Sequence, residues 1–246
     1  MLGLWAQGPG SRQWRTSTPA RGVALRRPVL FRERHAGPEA GPSAHAGRGR
    51  ILTGGSGCGW IAGEVSAQRP VGPVRPFTMV IRLAEPREVP AVTAIVARCV
   101  ADLRAHGIDQ WDDVYPNEEV LNEDVRSGTL YVAEENGIPI AAVCLNDDQP
   151  DQYRSVPWRC AEGRALVVHR LCVDPVHQRR GLGRRLMEFA GEFARRRGYR
   201  SIRLEVYSNA PAALALYSRL GYVCVGQIRF PRRRLPFNCL ELILDG

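Results

Sequence analysis

The sequence contains no lysine: all 34 basic residues are arginine. We read this as a bias towards GC-rich codons, so arginine alone is weak support here for phosphate recognition. No CxxC pair occurs among the seven cysteines, at 58, 99, 144, 160, 172, 224 and 239, and their number is odd. That argues against both a zinc ribbon and a disulfide framework; a reducing compartment, the cytoplasm, fits better. No apolar run approaches the ~18–20 residues that a membrane helix needs, so no membrane partner is expected. No His/Cys/Asp grouping has metal-ligand spacing, so no metal is expected. With 44% hydrophobic and 24% charged residues, the 246-residue chain has the composition of a soluble globular protein of one or two domains.

Acids are scarce in the first third. Residues 1–78 hold 11 Arg against 3 acids, whereas residues 79–246 hold 23 Arg against 22. The first segment also carries 14 Gly and 8 Pro, and its apolar residues keep no period of 2 or 3.6. Such a segment buries too little surface to offset its chain entropy, and disorder is expected. Three origins are considered, in this order: a mis-assigned start with Met79 as the true one, an organelle transit peptide, and a nucleic-acid-binding arm. The near-neutral balance of 79–246 speaks against nucleic acid. GGSGCG at 54–59 has a phosphate loop's glycines but neither its preceding strand nor its following helix, so it reads as a linker.

From Met79 the pattern becomes α/β. Met79 to Ala84 reads as a strand, and Val89, Val92, Val96, Val100 and Leu103 mark one helix face, closed by Gly107. A short helix follows from Asn117 to Arg126. Two strands, Thr129 to Ala133 and Pro139 to Leu145, flank the hairpin signal Asn136-Gly137. Residues 146–163 read as a polar loop. Ala165 to Val173 is apolar on both faces, as a central strand is. Leu182, Leu186, Phe189, Ala190 and Phe193 mark the inner face of a long helix, with Arg184–Glu188 and Glu192–Arg196 as outer pairs. Ile202, Leu204 and Val206 alternate as in a strand. Pro211 opens a helix to Leu220, and strands near Tyr222 to Ile228 and Phe237 to Leu244 finish the chain. The expected fold is an α/β (α+β type) mixed sheet of about seven strands with about four helices.

The strongest chemical signal is LCVDPVHQRRGLGRRLMEF, 171–189. A buried strand breaks at Asp174-Pro175, and a basic, glycine-bearing loop runs into an amphipathic helix. The amides of Arg179 to Arg184 can then point at a phosphate, aided by the positive end of the helix dipole. Walker A's Gly-Lys-Ser/Thr and the GxGxxG spacing are both missing.

QRRGLG at 178–183 resembles the Q/R-x-x-G-x-G/A motif of the GNAT acetyltransferase superfamily. LEVYSNAPAALALYSRLGY, 204–222, is similar to that family's second stretch, a strand, an Asn, and a helix bearing ALY…LGY. The resemblance spans 79–246, taken as one GNAT N-acetyltransferase domain behind the 1–78 extension. It implies acetyl-CoA as cosubstrate and an amine acceptor. The pantetheine arm would pair with Leu171, Cys172 and Val173. The pyrophosphate would sit on Arg179, Arg180, Gly181, Leu182, Gly183 and Arg184. The family's Asn falls at Ala210, with Asn209 one residue earlier as the implied contact. Tyr217 matches the tyrosine that often donates a proton to the sulfur; packing of Leu216, Tyr217 and Leu220 on the sheet is the alternative.

For the base, Glu205 lies twelve residues before Tyr217, as in relatives that acetylate protein N-termini. A solvated carboxylate paired with Arg203 or Arg200 remains an equal alternative. His169 reads as a hydrogen-bonded structural group, and Cys172 as a small buried residue. GIDQWDDVYP, 107–116, gathers Asp109, Asp112 and Asp113 about Trp111 and Tyr115, which suits a cationic amine; a structural loop whose Trp plugs the core is the alternative. The expected activity is acetyl transfer to the primary amine of a small acceptor. Protein N-terminal acetylation and non-catalytic acyl-CoA sensing are the rivals, and homodimer formation stays open.

Overall fold

The computed structural model describes residues 29–32 and 78–244. From Thr78 the chain alternates as its periodicity predicts: β2 (Thr78–Leu83), α1 (Val89–Ala105), α2 (Glu118–Arg126), β3 (Leu130–Glu135), β4 (Ile138–Asn146), β5 (Ala165–Val173), α3 (Leu182–Arg196), β6 (Ser201–Tyr207), α4 (Pro211–Arg219), β7 (Val223–Ile228) and β8 (Phe237–Ile243). A short strand, β1 (Val29–Arg32), precedes them. The sheet order is β1-β2-β3-β4-β5-β6-β8-β7. Every pairing from β2 onward is antiparallel except β5 with β6, which is parallel.

Local chemistry sets the boundaries. Asn136 and Gly137 take φ of 53° and 80°, the left-handed pair that a two-residue hairpin needs. The side-chain carbonyl of Asn117 accepts the Val120 amide at 3.0 Å and starts α2. Pro211 occupies the first turn of α4.

Strand alternation divides the core between two faces. Leu130 and Val132 of β3 pack with α1 and with Leu121 of α2. Tyr131 and Ala133, between them, pack with the α3 side chains Leu186, Phe189 and Phe193. Helices thus cover both faces of the sheet, each fully buried Leu, Val or Phe stabilising by roughly 1.5–3 kcal/mol.

The readings made of 1–77, GGSGCG included, lie outside the described residues, which there comprise only the short strand Val29–Arg32. One expectation needs correction. Residues 146–163 are more than a polar loop. They contain a 3-10 turn, Asp151–Ser155, that buries Tyr153, and Val156 follows it into the core.

Candidate active site

The site begins where the sheet splits. β5 and β6 pair only at Ala165↔Ser201, Leu166↔Ile202 and Val167↔Arg203, although β5 runs on to Val173 and β6 to Tyr207. A bulge in β5 coincides with the parting. Ala142 of β4 faces Cys172 while Cys144 faces His169, so Arg170 and Leu171 together oppose Val143. Arg170 takes φ of 50°, unfavourable for a side chain of its size. Its guanidinium is anchored from both ends: Nε and Nη2 donate to Asp124 at 2.7 and 2.6 Å, and Nη1 donates to the Tyr115 hydroxyl at 2.9 Å. Burial opposes its charge, but Tyr115, Cys144 and Asp124 outweigh that and hold it protonated. Beyond Val167 the facing edges of β5 and β6 have no strand pairing with each other. An extended, amide-bearing chain can fill such a slot by backbone hydrogen bonds.

Leu171 and Val173 border the slot half-buried, and Cys172 is buried between them. The Cys99 thiol beside Cys172, together with burial, pushes the Cys172 thiol well up. That suits a packing residue and not a thiolate nucleophile. His169 also matches its expected structural role. Its Nε2 lies 3.1 Å from the Asp148 carbonyl, and burial and then Arg170 push the imidazole down to about 3.

Past Val173 the chain turns sharply. Asp174 accepts from Arg98 Nη2 at 2.6 Å and from the Val176 amide at 3.4 Å. Arg179 and Gly181 then adopt φ of 60° and 77°, immediately before α3. Left-handed residues in such a turn aim successive amides at one point, and the first amides of α3 have no intrahelical acceptor. Gly183 has a second role: a Cβ there would stand 3.2 Å from Leu216 Cδ2, so its absence lets α4 approach α3. Leu182 sends its side chain into the core and offers the loop only its backbone.

The loop's cations are not equivalent. Arg179, Arg180 and Arg184 are exposed. Arg180 bonds Glu135 at 3.3 Å and meets His177 Nδ1 at 2.8 Å, while Arg184 bonds Glu188 at 2.7 Å. Asn209 is exposed on the turn between β6 and α4, and Ala210 is the buried residue just before α4.

Glu205 of β6 lies on the other edge of the split. It is not the solvated partner of Arg203 or Arg200 weighed above. Arg203 instead bonds Glu241 on the facing strand, with Nε 3.0 Å from Oε1. Glu205 accepts a short hydrogen bond from the Tyr153 hydroxyl. Burial pushes its carboxyl up, Tyr153 and then Arg170 pull it part of the way back, and the net position is about 7. The residue as a whole is half-buried. Tyr217 of α4 is buried, its ring edge-on to Tyr222 at 5.7 Å. Burial and then the Glu205 charge push its hydroxyl up, so it remains a proton donor at neutral pH.

Tyr153 was not read from the sequence, because it sits in a stretch with no apolar period. Its placement follows from what pins the 146–163 segment. Glu241 accepts the Arg159 and Cys160 amides at 2.7 and 3.2 Å. Arg203 donates to the Cys160 carbonyl at 2.6 Å, and its guanidinium lies 4.5 Å over the Trp158 ring. Trp158 in turn donates to the Tyr153 carbonyl at 3.0 Å.

The 107–116 acids are answered from within the chain. Asp112 and Asp109 meet Arg233 Nη1 at 3.0 and 3.4 Å, and Asp113 bonds Arg104 at 2.8 Å. Asp112 also accepts the amides of Val114 and Tyr115, both at 2.9 Å. Trp111 plugs the core beside α1. The structural alternative is therefore the one observed, and an amine would have to displace arginine to bind there. Among the described residues no cluster of His, Cys, Asp and Glu could hold a metal ion, and no helix is long and apolar enough to cross a membrane.

Comparison with known proteins agrees with this geometry. Residues 96–222, which take in the split strands, the loop and Tyr217, match the Acetyltransferase (GNAT) family. The chain belongs to this family and is an acetyl-CoA-dependent N-acetyltransferase. It is 29% identical over 179 residues to the L-methionine sulfoximine/L-methionine sulfone acetyltransferase of Salmonella typhimurium, covering 68% of this chain and 95% of that protein. It is 31% identical over 149 residues to the N-alpha-acetyltransferase RimI of Mycobacterium tuberculosis, covering 58% of this chain and 82% of that one. Among solved structures, yncA from Salmonella typhimurium with its cofactor acetyl-CoA shares the fold at a TM-score of 0.53 and 24% identity, covering 68% of this chain and 95% of that one.

Proposed function

We propose that the chain acetylates the primary amine of a small acceptor, with Glu205 as base and Tyr217 as acid. The observation that carries this is the state of Glu205. A carboxyl pushed up to about 7 on the edge of the strand split can both take and release a proton near neutrality. On this reading the backbone of Leu171, Cys172 and Val173 pairs with the pantetheine arm. The amides from Arg179 to Arg184 take the pyrophosphate, Arg179 adds charge, and Asn209 borders the same channel.

The acceptor ammonium gives one proton to Glu205, which passes it to solvent. The freed nitrogen attacks the thioester carbonyl carbon. The C–N bond forms, the C–S bond breaks, and the thiolate takes the Tyr217 proton. The proton left on the adduct nitrogen restores Tyr217. Products are the N-acetyl compound, free CoA and one proton.

The small acceptor is supported by the resemblance to the methionine sulfoximine and sulfone enzyme across nearly all of that protein's length. Protein N-terminal acetylation is the second reading, supported by the RimI resemblance and by the twelve-residue interval from Glu205 to Tyr217. Thiol release from acetyl-CoA, measured with L-methionine sulfone, a panel of free L-amino acids and alanine-starting peptides, separates the two. Turnover of free amino acids with idle peptides supports the first reading; the reverse overturns it.

A further inference from the structure

We propose that Tyr153 is a positioning residue for the base: the 146–163 segment is a strap whose purpose at this site is to hold the Tyr153 hydroxyl on the Glu205 carboxylate. This rests on the reading of Glu205 as base and goes beyond it.

Three observations converge. The Tyr153 hydroxyl donates directly to Glu205 across 52 residues of sequence. Tyr153 is itself almost wholly buried, its ring packed on Trp158 at a centroid distance of 4.8 Å, so its direction is set by packing. The strap is held by Arg203 and Glu241, which face each other on β6 and β8 and bind residues 149, 159 and 160. Arg203 lies two residues before Glu205 on the same strand. The element that carries the base therefore also carries the anchor of the group that orients it.

Chemically, a hydroxyl donor favours the ionised carboxylate over the acid, opposing the burial that favours the acid. The other groups around Glu205 are Arg170 of β5, Tyr115 of the loop before α2, Tyr217 of α4 and Cys239 of β8. Arg170 is committed to Asp124 and Tyr115, and Tyr217 is assigned to the sulfur. Tyr153 is the group that bonds the carboxylate itself. It keeps its proton throughout: burial and then the Glu205 charge hold its hydroxyl well above the usual phenol range.

The test is a carbon-13 NMR titration of the full chain labelled at glutamate carboxyls, with the Glu205 signal assigned by its loss in Glu205→Gln. Tyr153→Phe keeps the ring on Trp158 and removes only the donor. Its Glu205 midpoint is expected to rise by about one pH unit. Installing 3-fluorotyrosine at 153 makes a stronger donor and is expected to lower the midpoint, a change of sign that a purely structural tyrosine would not produce. If both variants melt as wild type and the midpoint stays put, the proposal is overturned. The base assignment is judged separately, by acetylation of L-methionine sulfone and alanine-starting peptides. If Glu205→Gln acetylates these as wild type does, Glu205 is not the base. If Glu205→Gln is inactive yet Tyr153→Phe leaves the midpoint in place, only the role of Tyr153 falls.

Discussion

Arg203 and Glu241 form a buried ion pair between directly opposed residues of β6 and β8, 3.0 Å apart. Arg203 is the last β6 residue paired with β5 before the strands part, and with Glu241 it fixes the strap that covers Glu205. Removing one partner leaves the other charge buried. Glu241→Leu is expected to cost about 3–5 kcal/mol in urea denaturation. The double change Arg203→Met/Glu241→Leu should cost less than the sum of the single ones, because no charge is then stranded.

The pH dependence of stability follows from Glu205. Its folded-state carboxyl titrates near 7 against an ordinary 4.5. Because the folded value is the higher one, its contribution to stability is complete below 4.5 and is lost as the pH rises through 7. Glu205→Gln removes that penalty. The variant should be more stable than wild type at pH 8 by up to ~3 kcal/mol, and the difference should vanish near pH 4. Denaturant midpoints measured across that range check it.

Tyr217→Phe deletes the hydroxyl proposed as the proton donor and keeps the packing against Tyr222. We expect kcat to fall by ~10²–10⁴-fold with acetyl-CoA affinity nearly unchanged. Steady-state rates together with calorimetric titration of acetyl-CoA read both quantities.

At the loop, Gly183→Glu places bulk against Leu216 and negative charge where the α3 amides gather. Acetyl-CoA affinity should drop at least ~100-fold by calorimetry, or about 2.7 kcal/mol. Gly183→Ala, which meets only the Leu216 side chain, should lose far less.

Asp112→Asn tests the corrected role of the 107–116 segment. Asp112 is held below the usual carboxylate range: burial opposes this, but the Val114 amide, Arg233 and the Tyr115 amide outweigh it. The variant should lose ~1–3 kcal/mol of stability and leave the acceptor KM unchanged. A raised acceptor KM at wild-type stability would return this loop to the binding site.

Much of the fold was legible because its signals are local. The alternation of β6, the Asn136-Gly137 turn and the apolar stripes of α1 and α3 each lie within a few residues of chain. So does the strand, loop and helix that present Gly181 and Gly183. What was not legible depends on contacts between distant residues. Tyr153 meets Glu205 across 52 residues, and Asp109 meets Arg233 across 124. No period in residues 146–163 foretells that a tyrosine there will bury a carboxylate. Nor does the acidic cluster reveal that Arg233, just before β8, will pair with Asp109 and Asp112 while Arg104 of α1 pairs with Asp113. Glu205 could be singled out by its interval from Tyr217. Its raised carboxyl could not, since that follows from burial beneath distant segments, which the Tyr153 hydroxyl and Arg170 offset only in part.

Proton removal from the acceptor by Glu205, as proposed, leaves a signature in the pH dependence of the rate. The most direct measurement is kcat/KM for the acetylated amine between pH 5.5 and 9 (a window of roughly 1.5–2 units on either side of the base), in wild type and in Glu205→Gln. With Glu205 as base, the wild-type limb rises with slope one and bends near 7. In Glu205→Gln that limb should be gone and the rate at neutral pH reduced by ~10²-fold or more. A Glu205→Gln profile that keeps both the wild-type bend and the wild-type rate would contradict it.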